Sequence, residues 1–432
     1  MFHTDEIVIG LLAAAVVLGI LARWAKIPDP ILLTCGGLVL SLQPWAPDVA
    51  LESNVVFFLF LPPLLYAGAF RTPWRDFLLY MRPISLLAVG CVFATTAAVA
   101  TVAHYYIGLP WAVGAALGAI VSPPDAVAAM AITKRLKVPR RVTSILEGES
   151  LVNDAAALVT LRMAVAAVTA GTFSLVDAAG QFALISLGGI VLGLAVGWTA
   201  TKLHPMLDRA GLVDAKLSIT ITLLTPYAAY IPAEHLHVSG ILAVVAAGLW
   251  VGTRCESVFS QELYEEAHSV WEWLEFFLNG MIFILMGFQL PRVLNVLGDR
   301  YAMDELVWYA VAVSLTAILL RLVWVFPAAY LPRLLSRRIR THEPAPPWQG
   351  IVVVGWTGLR GVVSLAASLA LPADFPNRNL IVFLTFWVIF ATLVGQGLTL
   401  PVLIRVLGVG RMPIPEAPKP EEAPVEQPEL TG

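Results

Sequence analysis

Apolar stretches long enough to cross a lipid bilayer recur along nearly the whole chain. A membrane-spanning helix needs about 17–25 predominantly apolar residues. The sequence predicts an all-α polytopic membrane protein of about thirteen transmembrane helices, of which the second and ninth are short. They lie near residues 6–22, 31–43, 53–69, 83–103, 111–132, 142–168, 180–201, 214–232, 238–253, 270–290, 304–330, 350–371 and 379–404.

Composition supports this class, because 58% of the residues are hydrophobic and only 13% are charged, whereas soluble domains carry about 25% charged residues. The positions of Lys and Arg predict the orientation, since these residues collect in short cytoplasmic loops. With the N-terminus outside, 21 of the 27 fall in inside segments and three fall outside. The predicted C-terminus is therefore inside, and residues 411–432, rich in Pro and Glu, are expected to be a disordered cytoplasmic tail.

The sequence lacks the features of several function classes. The net charge of -3 is too small to indicate nucleic-acid binding. The three cysteines show no metal-ligand spacing. The sequence contains no HExxH, GxSxG or P-loop motif, which weakens interpretations as a protease, a hydrolase or an ATP-driven pump. We expect no enzyme activity and no cofactor.

The fifth predicted helix is interrupted at Ser122-Pro123-Pro124-Asp125. Proline has no N–H, so two carbonyls before the break lose their usual partners, and such groups must face protein or a water-filled cavity. Ser122 is expected to cap the second half of the helix, with Asp125 in its first turn. Asp125 is interpreted as a capping residue, as a residue that shapes the field of an ion site, or as both.

The twelfth predicted helix is interrupted by the glycines around Leu359-Arg360. We expect Arg360 to act structurally and electrostatically at the negative end of the first half-helix, rather than to contact substrate. The two breaks lie seven helices apart, which fits two inverted repeats. Broken helices at corresponding positions of two halves indicate the binding site of a secondary transporter.

The sixth predicted helix carries most of the ionisable groups. Ser150 and Asp154 are four residues apart and share a face, with Asn153 beside them. Asp154 lies roughly 18 Å along the helix from its cytoplasmic start, near the middle of the membrane. An ionisable residue at that depth is functional by default. Glu149 points away from Asp154 by about 140°, so we expect it to have a different role.

Two further arginines lie inside predicted helices. Arg321, in the eleventh helix, is the candidate partner of a structural ion pair with Glu149. Arg162 lies two turns beyond Asp154 on the sixth helix. It either pairs locally or tunes the exit path of an ion, and the sequence does not distinguish these two roles.

These motifs together resemble the exchanger branch of the monovalent cation/proton antiporters, cation–proton antiporter family 1, in its bacterial form. The matching features are the residues 61–65 LPPLL, 124–127 PDAV, 148–154 GESLVND and 358–361 GLRG, together with Arg321. The resemblance implies a cell-membrane homodimer that exchanges a monovalent cation, Na⁺ or Li⁺ before K⁺, for H⁺.

The resemblance also implies a division of residues 1–410. A core domain would comprise about 83–168 and 304–408, with the fifth and twelfth helices crossing at their breaks. A dimerisation part would comprise about 6–69 and 214–290, and the helix at about 180–201 would link them. Asp154 would bind cation and proton in turn, and Ser150, Asn153, Asp125 and the Pro124 carbonyl would complete the cation site.

The sequence departs from the family pattern at two positions. Ala67 stands where many relatives carry an acid, and Pro124 replaces a non-proline residue. The Asn153-Asp154 pair resembles the branch usually taken as electroneutral. The alternatives to a Na⁺ or Li⁺ antiporter are a K⁺/H⁺ antiporter, a cation channel or uniporter, and a non-transporting membrane protein.

Overall fold

The computed structural model describes residues 4–44, 55–170, 175–212, 214–297, 301–342 and 345–411. Every regular element in these ranges is a helix, which confirms the all-α class. The predicted disordered tail lies outside the described residues, apart from Arg411.

The principal helices are numbered α1 to α13 in chain order, and two of them are interrupted. They are α1 (Thr4–Ala25), α2 (Asp29–Ser41), α3 (Val56–Arg71), α4 (Met81–Ile107), α5a (Trp111–Val121), α5b (Ala126–Arg135), α6 (Arg140–Ala170), α7 (Leu175–Arg209), α8 (Ala215–His235), α9 (Gly240–Gly252), α10 (Gln261–Leu297), α11 (Met303–Leu335), α12a (Trp348–Trp356), α12b (Val362–Leu369) and α13 (Arg378–Val406). Short helices at Trp74–Leu79, Cys255–Val258, Arg337–His342 and Val409–Arg411 flank them.

Length and hydropathy identify membrane spans within this set. Seven helices of the described residues are long and apolar enough to cross a membrane by these criteria. Shorter apolar helices lie at Ile9–Ala25, Asp29–Ser41, Val56–Arg71 and Gly240–Gly252, and they include the two that the sequence predicted to be short. The helix predicted at 180–201 is longer than expected, since α7 covers Leu175–Arg209.

Apolar side chains form several clusters between neighbouring helices. One cluster joins α4, α5a, α11 and α13, and includes Val99, Leu117, Val313 and Phe383. Another joins α3, α8, α9 and α10, and includes Tyr66 and Trp271. Transmembrane helices approach closely where small residues face a neighbouring backbone.

Glycine permits two such approaches. A Cβ on Gly193 of α7 would overlap the Ala243 carbonyl of α9, and one on Gly287 of α10 would overlap the Thr34 carbonyl of α2. The backbones of these helix pairs therefore pack in direct contact.

Candidate ion-binding site at two broken helices

The breaks in α5 and α12 lie against each other. The backbone N–H of Asp125 donates a hydrogen bond to the carbonyl of Leu359, with an N–O distance of 2.6 Å. Gly361 lies so close to Asp125 that a Cβ at this glycine would overlap the aspartate side chain. The two interruptions therefore form one continuous patch of non-helical backbone inside the protein.

The break in α5 follows from its two prolines. The capping residue of α5b differs from the one that the sequence predicted. Ser122 does not cap the second half-helix. Its hydroxyl donates to the Ala119 carbonyl at 2.9 Å, and so satisfies a group that Pro123 leaves without its helical donor. Residues 122–125 are not helical, so α5b begins later than predicted. Asp125 is its N-cap and accepts a 2.8 Å hydrogen bond from the Val127 N–H.

Arg360 crosses from the break in α12 to the end of α5a. Its Nε donates to the carbonyl of Val121 at 2.8 Å, and Val121 is the last residue of α5a. A second guanidinium nitrogen donates to the Gly358 carbonyl. The Arg360 N–H donates to the hydroxyl of Thr392 at 3.0 Å. With 1% of its surface exposed, Arg360 supplies a buried positive charge at the negative end of α5a.

Arg321 and Glu149 form a bidentate ion pair, with N–O distances of 2.5 and 2.9 Å. Each of these residues is 1% exposed. Arg321 also donates to the carbonyl of Val354 at 3.1 Å, near the end of α12a. The same guanidinium thus neutralises a buried carboxylate and satisfies a terminal carbonyl of the second broken helix.

Asp154 lines a cavity of about 270 Å³, which we call the ion cavity, and it is the lining residue of α6 farthest from the start of that helix at Arg140. Asp125 and Ser150 line the same cavity. Its other walls come from α3, α10 and α12b, and include Leu61, Arg71, Glu275, Asn279 and Val362. Asp154 is 6% exposed. The cavity runs from this carboxylate towards the end of the molecule where α3 and α5b terminate.

Neutral oxygen atoms lie where α6 meets the break in α5. The Asn153 amide donates to the carbonyl of Pro124 at 2.8 Å. The Asn153 Oδ1 is buried and has no hydrogen-bond partner among the described residues. The Ser150 hydroxyl accepts a 3.3 Å hydrogen bond from the Ala126 N–H. Asn153 and Ser150 thus hold α6 against the start of α5b and place oxygen atoms beside the break.

Beyond Asp154 along α6, apolar side chains close off the ion cavity. Leu158, one turn beyond Asp154 on α6, lines a separate cavity of about 450 Å³ with Phe57 and Ile241. Leu158 and Phe57 pack on the apolar cluster that contains Leu61, so apolar side chains separate the two cavities. Farther along α6, the Nη2 of Arg162 donates to both carboxylate oxygens of Glu234 on α8, at 3.0 and 2.9 Å.

This set of groups suits a hard cation without d electrons. Carboxylate, hydroxyl, amide and carbonyl oxygens are the ligands that such ions prefer. Within the described ranges, no cluster of three or more His, Cys, Asp or Glu residues could hold a metal ion. The arrangement can therefore offer one or two negative charges and several dipoles, without the soft or imidazole ligands of a transition-metal centre.

Sequence comparison identifies the family. The family described as "Sodium/hydrogen exchanger, transmembrane" matches residues 11–406. This chain belongs to the sodium/hydrogen exchanger family. Family membership and the apolar helices make it a multi-pass bacterial membrane protein, and the resemblance seen in its motifs is confirmed.

Two curated relatives show how far the likeness extends. The "Sodium, potassium, lithium and rubidium/H(+) antiporter" of Bacillus subtilis is 35% identical over 388 residues, which are 87% of this chain and 58% of that protein. The exchanger chain described here thus spans little more than half the length of that relative. The "Na(+)/H(+) antiporter NhaH" of Halobacillus dabanensis is 30% identical, over 92% of this chain and 96% of that one.

A solved structure shares the exchanger fold. The structure described as "the sodium proton antiporter MjNhaP1 from Methanocaldococcus jannaschii at pH 8" has a TM-score of 0.67 and 20% sequence identity. The match covers 92% of this chain and 97% of that chain. At this identity the likeness shows the fold alone.

The structure adds residues that sequence reasoning missed. Glu234 is the partner of Arg162, and it is distant in sequence, so helical spacing on α6 could not reveal it. Thr392 lies in the π-helical segment Ala391–Gln396 of α13. This irregular stretch is visible only in the structure, so the sequence offered no signal for Thr392.

Proposed function

We propose that this chain is a secondary antiporter that exchanges a monovalent cation, Na⁺ or Li⁺ first, for H⁺ by competition at Asp154. The observation that supports this most directly is the position of Asp154. It is buried at the wall of the ion cavity, beside two broken helices, and apolar side chains lie beyond it along α6. This is the arrangement expected of a carrier seen open to one side.

Competition follows from the chemistry of one buried carboxylate. Burial disfavours an isolated charge, so the Asp154 carboxylate is stabilised by binding either a proton or a cation. Ser150, Asn153, Asp125 and the Pro124 carbonyl would supply the remaining cation ligands. If only the loaded site changes the side it faces, each cation that crosses in one direction is matched by a proton in the other. Asn153, being neutral, adds no titrating charge next to Asp154 on α6, which favours electroneutral exchange.

The alternation would use the two groups of helices as separate bodies. In this proposal α4–α6 and α11–α13 form the core, with α5 and α12 crossing at their breaks, and α1–α3 with α8–α10 form the dimerisation part. All thirteen helices would cross the membrane, with the N-terminus outside and the C-terminus inside. The protein would be a homodimer in the bacterial cell membrane, and the ion cavity would open to the cytoplasm.

The cation is argued from the names of the relatives and from the residues near the site. The names of the Bacillus and Halobacillus relatives include Na⁺, and the former also includes K⁺, Li⁺ and Rb⁺. Ala67, where many members of the resembled family carry an acid, is buried on α3, so α3 supplies no carboxylate at that position. A K⁺/H⁺ antiporter is therefore the alternative that the experiment must distinguish.

A cation panel in proteoliposomes tests this proposal. Purified protein is reconstituted in vesicles with an acidic lumen and a pH-sensitive dye, and Li⁺, Na⁺ or K⁺ is added with and without a clamped membrane potential. We expect dequenching with Na⁺ and Li⁺ that is unchanged by the clamp. At pH values where the empty site is mostly protonated, lowering the pH by one unit should raise the half-saturating Na⁺ concentration about tenfold, because proton and cation compete for one site. Cation uptake without proton release, or currents far above carrier turnover, would instead indicate a uniporter or channel.

A further inference from the structure

The ion cavity contains basic side chains as well as acidic ones. Among the described residues, six charged side chains line it, two basic and four acidic: Arg71, Lys134, Asp125, Glu147, Asp154 and Glu275. A basic side chain inside a cavity that admits cations is a potential competitor, because it is attracted to the same carboxylates as the ion. The partner that holds each basic group therefore bears on cation binding.

Each of the two basic groups pairs with a carboxylate of the cavity wall. Arg71 of α3 forms an ion pair with Glu275 of α10, and its Nε donates to the carbonyl of Ala67 at 3.1 Å. Lys134 of α5b lies 3.5 Å from the carboxylate of Glu147 on α6. The two basic charges are thus taken up by wall residues that lie outside the proposed cation site.

This pairing leaves the carboxylates of the proposed cation site free of basic partners. Asp125 accepts a hydrogen bond from the Val127 N–H. Within the part of the chain that the structure describes, neither Asp125 nor Asp154 forms an ion pair with Lys or Arg. A cation that enters the cavity therefore finds both carboxylates available.

The two pairs differ in how far water can take over the basic charge. The Lys134 side chain is 70% exposed, whereas that of Arg71 is 29% exposed. A lysine released from its partner is solvated, but a released Arg71 stays largely enclosed in the cavity. Asp29 and Glu272 line an adjoining cavity with Arg71, and Asp154 is more buried than either. Less water screens a buried carboxylate, so it attracts the guanidinium more strongly.

We propose that Glu275 is a positioning residue for cation binding, because it holds Arg71 against the wall formed by α3 and α10. Without Glu275, the Arg71 guanidinium would turn to the carboxylates of the cation site and compete with Na⁺. Ala67 increases this dependence, since α3 supplies no acid one turn before Arg71. The inference rests on the proposed function, in which Asp154 binds the cation.

Na⁺ binding by charge variants of the full-length protein tests this role. The dissociation constant is obtained from the Na⁺-dependent rise of the unfolding temperature in detergent, with choline chloride keeping the ionic strength constant. We expect Glu275→Gln to raise this constant about tenfold, the equivalent of one hydrogen bond to a charged group. In proteoliposomes, the half-saturating Na⁺ concentration should rise likewise. The exchange rate at saturating Na⁺ should stay near that of wild type, because excess cation displaces a competitor.

Removing Arg71 should suppress the defect of Glu275→Gln. Two suppressors are compared in that background, Arg71→Gln and Arg71→Met, which both remove the charge and differ in polarity. Each double variant should bind Na⁺ within about threefold of wild type. The matched control is Glu147→Gln, which removes a carboxylate from the same cavity but releases only the exposed Lys134. This control should bind Na⁺ as wild type does, and elution volumes check that every variant is folded.

Double variants that bind Na⁺ as weakly as Glu275→Gln would overturn the proposal, because Glu275 would then act on the cation itself. Equal losses in Glu275→Gln and Glu147→Gln would also overturn it, since the charge of the cavity alone would explain them. So would unchanged binding by Glu275→Gln, or a wild type that does not bind Na⁺. Failure of the proposed function is observed separately, as normal exchange by Asp154→Asn or as a wild type that binds Na⁺ without exchanging it.

Discussion

Arg360 donates from its Nε to the carbonyl of Val121, which joins the break in α12 to the last residue of α5a. Arg321 makes the corresponding contact to Val354, near the end of α12a. The end of each first half-helix thus receives a guanidinium group from a different helix. Because a helix C-terminus carries partial negative charge and free carbonyls, these contacts allow both helices to end inside the protein.

Arg360→Gln should destabilise the protein, because the Val121 carbonyl loses a charged donor in a buried site. We expect a loss of about 2–3 kcal/mol in the free energy of unfolding. Thermal unfolding of the purified protein in detergent measures the change. Arg405→Gln, at an exposed position on α13, is the control and should leave the melting temperature unchanged. Equal melting temperatures for Arg360→Gln and wild type would contradict a structural role for Arg360.

Removing only Glu149 from the Glu149–Arg321 pair should lower the free energy of unfolding more than removing both charges. Glu149→Gln leaves the Arg321 charge buried, and we expect a loss of about 3–5 kcal/mol. Adding Arg321→Met removes the unpaired charge and should recover part of that loss, although the bond to Val354 is also removed. The double-variant cycle is measured by thermal unfolding. A double variant less stable than Glu149→Gln alone would show that Arg321 acts chiefly through contacts other than Glu149.

Gly361→Ala should impair transport through a steric effect alone. Gly361 has a φ of -138°, which alanine tolerates, but the added Cβ would overlap Asp125. We expect Asp125 to move and exchange to fall strongly, whereas Gly395→Ala should behave like wild type because nothing lies within 4 Å of its added Cβ. Proteoliposome exchange rates make the comparison. Normal exchange by Gly361→Ala would mean that the contact between the breaks can relax without consequence.

Apolar stretches and helix-breaking residues in the sequence predict much of this architecture. The all-α class follows from apolar length, and the two interruptions follow from the prolines at 123–124, which lack an N–H, and from the glycines around Arg360, which let the backbone open. An ion pair between Glu149 and Arg321 was foreseen because each would otherwise be an isolated buried charge.

Local capping and long-range partners were harder to infer. Ser122 looked like the cap because it precedes the prolines, but residues 122–125 lie outside the helix and the cap passes to Asp125. Val121, Thr392 and Glu234 emerged only from tertiary packing, since their partners are distant in sequence. The direction of Arg360 likewise depends on how the two breaks face each other.

The Arg162–Glu234 ion pair should hold the outer path closed in the proposed mechanism, because it ties α6 to α8 beyond Leu158. The side chains are 46% and 36% exposed, so breaking the pair should shift the open population only about 2–5-fold. A Leu158→Cys reporter, in a background without the native cysteines, should react correspondingly faster with an external maleimide when Arg162→Gln is added. Exchanging the charges in Arg162→Glu with Glu234→Arg should restore slow labelling. Labelling that is equal in all variants would remove this role.

The most direct measurement of the central claim compares Asp154→Asn with wild type in proteoliposomes that carry an acidic lumen and a pH dye. Asp304→Asn, exposed at the start of α11, is the matched control. The account predicts that Asp154→Asn remains folded, with an unchanged elution volume, and gives no more dequenching on Na⁺ addition than protein-free vesicles, whereas Asp304→Asn behaves as wild type. Near-normal dequenching by Asp154→Asn would contradict the account, because the proton and the cation would then not compete for that carboxylate.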